Sequence, residues 1–191
     1  MILKIHGCSG AGKTTAARTL LSHAASVQTS HTPTGRPSVY RMEIPDFDRP
    51  VFLLGDYSAN CGGVDTVDDY REVLRLLDKF APHGHVVFEG LLQSTYYGKM
   101  GEHSLQYGGD YIYAFLDTPL QTCLGRVAER RREKGTTSKW DPSITQEKYY
   151  NVWRLHAKLR DTTKHNVTIL DTDLPMFPQL KGLLVCSPLS S

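Results

Sequence analysis

A chain of 191 residues, 40% hydrophobic and 22% charged, has the length of one domain with a full-sized core and an ordinary globular balance. A formal charge of only +2 excludes a protein held on nucleic acid by overall charge, though not one with a local basic groove. No apolar run approaches the ~20 residues that cross a bilayer. The apolar N-terminus is too short for a signal peptide. The four cysteines, Cys8, Cys61, Cys123 and Cys186, lack zinc spacing, so reduced thiols and a cytoplasmic setting are expected.

In chain order, Ile2 to His6 alternates as a strand does. Gly7-Cys8-Ser9-Gly10-Ala11-Gly12-Lys13-Thr14 then completes the pattern G-x-x-x-x-G-K-[ST], and residues 15–21 favour helix. Strand, glycine turn and helix together predict a phosphate loop. Cys8 inside it is either a thiol with a lowered pKa or simply a small loop residue. Residues 26–37, rich in Ser, Thr, His and Pro, predict a loop. The runs 39–44 and 51–54 predict a hairpin, and residues 55–66 a glycine-rich loop. Apolar residues at helical spacing predict a helix over 67–80. Val86-Val87-Phe88 reads as a buried parallel strand ending at Glu89.

Residues 111–116 form the next such run, and Asp117-Thr118-Pro119 after it suits a helix start. A helix over 120–133 follows, then a break at 134–138, a helix over 144–161 and a last core strand over 167–170. Apolar strands alternating with amphipathic helices predict an α/β fold with a parallel central sheet and helices on both faces. Ligands of such a sheet bind outside the carboxyl ends of its strands. That selects Asp56, Glu89, Asp117 and Asp171 for a functional reading.

The phosphate loop points to a nucleoside triphosphate as ligand. Ser9, Gly10, Ala11, Gly12, Lys13, Thr14 and Thr15 would cradle its phosphates, with Lys13 at the β- and γ-groups and the Thr14 hydroxyl on Mg²⁺. Glu89 would support that metal or take a proton from an acceptor hydroxyl. Asp56 reads as a general base, a substrate clamp or a turn aspartate, and Asp65 as a helix cap or an acceptor contact. Arg126, Arg130, Arg131 and Arg132 lead into the break, where an arginine-bearing lid over about residues 126–142 would close on the transferring phosphoryl group. The alternative is a solvated charged face. Arg126 and Arg130, four residues apart, share a face and are the first choice. Tyr96, Tyr97, Lys99, Tyr107, Tyr111 and Tyr113 are candidates for stacking on a base, or for ordinary packing.

The segments GCSGAGKTT, LLGDYSANCGGVDT, VVFEGLL and AFLDTPLQTCLGRVAERRREKG resemble small bacteriophage P-loop kinases, relatives of nucleotide kinases and of the polynucleotide kinase fold. The resemblance spans most of residues 2–135. It implies a single kinase domain over 1–191 with a three-layer P-loop NTPase fold. It also implies ATP-dependent phosphorylation of the hydroxymethyl group of 5-hydroxymethyluracil in DNA, a step of thymine hypermodification in the host cytoplasm. The Asp-Arg-Ser of deoxynucleoside kinases and the Asp-Arg-Tyr of thymidylate kinases are absent, since the strand ends Glu89-Gly90-Leu91. A kinase of free nucleotides or another small metabolite is the alternative acceptor reading. A non-catalytic nucleotide-dependent switch would carry a guanine-reading Asn-Lys-x-Asp, which this chain lacks.

Overall fold

The structure is a computed structural model that describes residues 1–58, 62–67, 69–90, 93–136, 138–162 and 164–185, with side chains for all of these but 93–97. Cys61, Leu91, the tail from Cys186 to Ser191 and the side chains of Tyr96 and Tyr97 lie outside the described residues. The elements are β1 (Ile2–His6), α1 (Lys13–Ser22), β2 (Ser26–His31), β3 (Pro37–Glu43), β4 (Val51–Leu54), α2 (Tyr70–Phe80), β5 (His85–Glu89), α3 (Gln93–Leu105), β6 (Tyr111–Leu116), α4 (Leu120–Glu133), α5 (Pro142–Asp161), β7 (Asn166–Leu170) and α6 (Met176–Val185).

The strands form one seven-stranded sheet in the order β2-β3-β4-β5-β1-β6-β7. From β4 to β7 every neighbouring pair is parallel, as the buried apolar runs predict. The far edge departs from that expectation. There β3 runs antiparallel to β4, as the predicted hairpin requires, and β2 antiparallel to β3, so the sheet is mixed, and residues 26–31 are a strand rather than the expected loop. All six residues of β2 are exposed. With neither face buried, nothing in its sequence alternates, and only pairing with β3 makes it a strand.

Successive residues of the central strands enter opposite cores. Leu3, Ile5, Leu53, Val87, Ile112 and Ala114 pack with Ala17 and Leu20 of α1 and Leu180 and Leu184 of α6. Ile2, Phe52, Val86, Phe88, Tyr113 and Phe115 pack with Val73 and Leu77 of α2, Met100 of α3 and Val152 and Leu159 of α5. Helices therefore cover both faces, as expected. Local capping sets their starts. The Asp69 side chain accepts the Arg71 N–H at 3.1 Å, so α2 begins at Tyr70 rather than at 67. The Asp141 side chain accepts the Ser143 N–H at 2.9 Å with Pro142 in the first turn of α5. Among the described residues no helix is long and apolar enough to cross a membrane. The turns after β1, β4, β5, β6 and β7 all emerge at one edge of the sheet, and the site lies there.

Candidate active site

Between β1 and α1 the chain curls through two glycines with positive φ, Gly10 at 84° and Gly12 at 96°. A β-carbon on Gly10 would strike the Cys123 carbonyl of α4. The loop is fastened from below as well, because the buried Thr118 hydroxyl donates to the Ala11 carbonyl at 2.7 Å. Lys13 opens α1 and folds back, its ammonium donating to the Cys8 carbonyl at 3.1 Å. Beside it the Thr14 hydroxyl donates to Glu89 Oε1 at 2.8 Å. The register that pairs Ile5 with Glu89 puts that carboxylate one strand from the loop. Glu89 is only 2% exposed. Burial pushes its carboxyl above the ordinary range, against the pull of the Lys13 charge and the Thr14 hydrogen bond.

These groups line a cavity of about 580 Å³. Residues 9–16 form its floor, and Arg126 and Arg130 of α4 reach one wall. The Arg126 guanidinium donates to the Gly10 carbonyl at 3.3 Å. Arg131 turns away to the Ser138 carbonyl at 2.6 Å, and Arg132 lies 3.6 Å from Glu129. The four-residue spacing thus separates the two arginines that face the cavity from the two that do not. Asp65 and Gly62 close another side, where a β-carbon on Gly90 would sit 2.9 Å from the Asp65 carboxyl carbon.

The other strand-end carboxylates are engaged in turns. Asp56 is absent from the cavity lining; its Oδ1 accepts the Ser58 N–H at 2.8 Å and the Ser58 hydroxyl at 2.6 Å. Those bonds hold its carboxyl below the usual range. Asp117 accepts from the Thr172 N–H at 2.8 Å and Asp171 from the Asp173 N–H at 2.9 Å. Cys8 is buried, and the hydrogen bond with the Cys123 thiol together with burial pushes its thiol up rather than down. Tyr111 and Tyr113 are 1% and 2% exposed and belong to the core, not to a stacking surface. The Lys99 ammonium donates to the Tyr70 hydroxyl at 2.8 Å, and the Tyr107 hydroxyl donates to Asp78.

One part of the site has no motif. Thr172, Leu174 and Met176, in the turn from β7 into α6, line the cavity beside Leu116. Leu174 is 57% exposed. The only sequence signal for them is position, since the turn follows a core strand at its carboxyl end.

A mostly parallel sheet that holds a glycine-rich phosphate-loop motif, a buried carboxylate and two arginines around one cavity is the frame of a phosphoryl-transfer enzyme. A sequence model of the family described as 5-hmdU DNA kinase matches residues 1–168. Two curated proteins of that description are similar to this chain. One, from Pseudomonas phage M6, is 31% identical over 172 residues, covering 83% of each chain. The other, from Pseudomonas phage PaMx11, is 30% identical over 150 residues, covering 78% of this chain and 79% of that protein. The chain belongs to the 5-hmdU DNA kinase family, and it is a kinase, a phosphotransferase.

Proposed function

We propose that this enzyme, a single P-loop NTPase-type domain over residues 1–191, transfers the γ-phosphoryl of ATP to the hydroxymethyl group of 5-hydroxymethyluracil in DNA. The observation that carries the proposal is the convergence of Lys13, the Thr14–Glu89 pair, Arg126 and Arg130 on one cavity. Residues 9–15 wrap the phosphates with backbone N–H groups at the start of α1. Lys13 leaves the Cys8 carbonyl for the β- and γ-oxygens, and Arg126 and Arg130 neutralise charge that develops on the transferring group. Leu174 and Met176 offer the adenine an apolar contact.

Among the described residues no three His, Cys, Asp or Glu side chains gather as a metal site. Mg²⁺ on a nucleotide needs no such cage, because it keeps several waters and uses substrate phosphates with one or two protein oxygens. The Thr14 hydroxyl and the Glu89 carboxylate fit that demand and would hold it. When bound, the ion supplies charge neutralisation at the phosphate oxygens. With Glu89 engaged there and Asp56 held by Ser58, the acceptor hydroxyl is oriented and deprotonated by Asp65, the remaining carboxylate on the cavity wall. The lid over about residues 126–142 excludes water as the phosphoryl group moves.

The test is transfer of label from γ-labelled ATP to three acceptors: a 5-hydroxymethyluracil oligonucleotide, the matching thymine oligonucleotide, and free 5-hydroxymethyl-dUMP. Labelling of the first alone is expected, and labelling of the free nucleotide alone would sink the DNA reading. Asp65→Asn should depress kcat by about 10²-fold or more, in the range for a positioned base. Asp56→Asn should leave it within a few-fold.

A further inference from the structure

The β2–β3 hairpin differs from the rest of the sheet. β2 is an edge strand with no strand beyond it among the described residues, and all six of its residues are exposed. Apart from Val27 they are hydroxyls, an amide and an imidazole. All 20 acidic residues of the chain lie from Glu43 onward, so β2 and the turn into β3 hold no carboxylate, and the hairpin's one acid, Glu43, sits opposite Ser26 at the end away from the tip. An exposed edge of this kind is a standing invitation to a partner. Its chemistry suits a polyanion.

Topology sets the hairpin's tip on the same side of the sheet as the cavity. Because β4 runs parallel to β5, Gly55 and Asp56 mark the carboxyl side of the sheet. The antiparallel β3 begins on that side, and β2 ends there. The Gly55 N–H donates to the Ser38 carbonyl at 2.8 Å, fastening the base of the tip to the site loop. The tip is a closed turn: the Thr32 N–H donates to the Arg36 carbonyl at 2.7 Å, and the Arg36 N–H to the Thr32 hydroxyl at 3.1 Å. Arg36 is exposed and makes no ion pair among the described residues. On one face of the ribbon Gln28 lies opposite Arg41, whose guanidinium is paired with Glu43 at 2.5 Å, and Ser30 lies beside Gln28 toward the tip.

We infer that this hairpin, with Arg36 at its tip and Gln28 and Ser30 along one face, docks the phosphodiester backbone that flanks the target base. The inference rests on the DNA reading above. A cavity of about 580 Å³ that must also hold ATP takes one base and not a duplex, so the target must be flipped or single-stranded. The backbone on either side then lies outside the cavity and needs a surface of its own. Arginine, hydroxyl and amide side chains are the groups that make most protein–phosphate contacts.

The experiment compares the full chain with the variant Arg36→Glu/Gln28→Glu and the variant Gln28→Lys. Steady-state kinetics on a 5-hydroxymethyluracil oligonucleotide are paired with binding of a fluorescent oligonucleotide over a salt series. The acidic variant should raise KM for the oligonucleotide about 10-fold and lower the slope of log Kd against log salt by about one, leaving kcat and KM for ATP unchanged. Gln28→Lys should lower that KM, a gain that misfolding does not produce. DNA phosphorylation with KM and slope unmoved in both variants overturns the docking role alone. Phosphorylation of free 5-hydroxymethyl-dUMP alone by the parent enzyme overturns the DNA reading, and the docking role with it.

Discussion

Glu89 carries two opposed demands in one side chain. Burial disfavours its charge, while Lys13 and the Thr14 hydroxyl favour it, and burial wins. A carboxyl whose folded pKa lies above its unfolded 4.5 contributes stability that is fully present below that value and lost as pH rises through the folded one. Glu89→Gln removes the buried charge and keeps an acceptor for Thr14. In nucleotide-free protein its melting temperature should therefore exceed the parent's at pH 8, with the difference closing toward pH 4. Its kcat should fall about 10²-fold, as when one preorganised electrostatic group is lost. Melting curves across that pH range check the first expectation, and an unchanged midpoint at pH 8 would show that the charge is fully compensated. Lys13→Ala belongs to the same scale. ATP at 100 times its Kd stabilises a protein by about 2.7 kcal/mol, and the resulting rise in melting temperature should vanish in that variant. A retained shift would contradict the assignment of the phosphate loop.

At the scale of elements, α4 separates its arginines by angle. Arg130→Ala should lower kcat by about 10²-fold with little change in ATP affinity, since an arginine at a transferring phosphoryl group acts chiefly in the transition state. Arg131→Ala should stay within about twofold, and single-turnover rates for the pair decide between a lid and a charged face. This division was legible from a four-residue spacing, as were the parallel strands from their unbroken apolar runs. What escaped has physical causes. β2 buries no face and so shows no period. α3 has the sequence Gln93 to Leu105, too polar and too rich in Gly and Tyr to declare a buried stripe. α6 and the Thr172–Met176 wall carry no motif, because lining a cavity asks only for a side chain of the right size in the right place. That Asp65 and not Asp56 lines the cavity follows from how residues 62–66 lie against β5. Gly63 takes φ of 95°, and a β-carbon there would lie 2.5 Å from the Glu89 carbonyl. The loop thus doubles back against the end of β5 and brings the later aspartate to the cavity. Nothing in a run of glycines says where it doubles back.

The whole molecule sets the cost of one further group. β1 lies between β5 and β6 with a core on each face, so a side chain there meets no solvent. Lys4 occupies that strand at 4% exposure, its ammonium 5.7 Å from the centre of the Phe88 ring. Burial pushes its pKa from 10.5 down to about 8, with the charge of Asp65 opposing. Between those values the unfolded chain binds more protons than the folded one, so stability rises with pH across that window. At pH 7 the lysine stays charged, at a cost of about 3 kcal/mol from a shift of that size. Lys4→Met keeps the volume and removes the charge. At roughly 2–4 °C per kcal/mol for a chain of this length, its melting temperature at pH 7 should rise by about 6–12 °C, with the gain fading by about pH 10.5. The same substitution takes a positive charge away from Asp65, which the proposed mechanism needs ionised, so activity should fall as stability climbs. Melting curves and kcat measured on one preparation test both halves. A variant that is more stable yet fully active would show that Lys4 does nothing for Asp65, and one no more stable at pH 7 would show that its charge is already balanced within the fold.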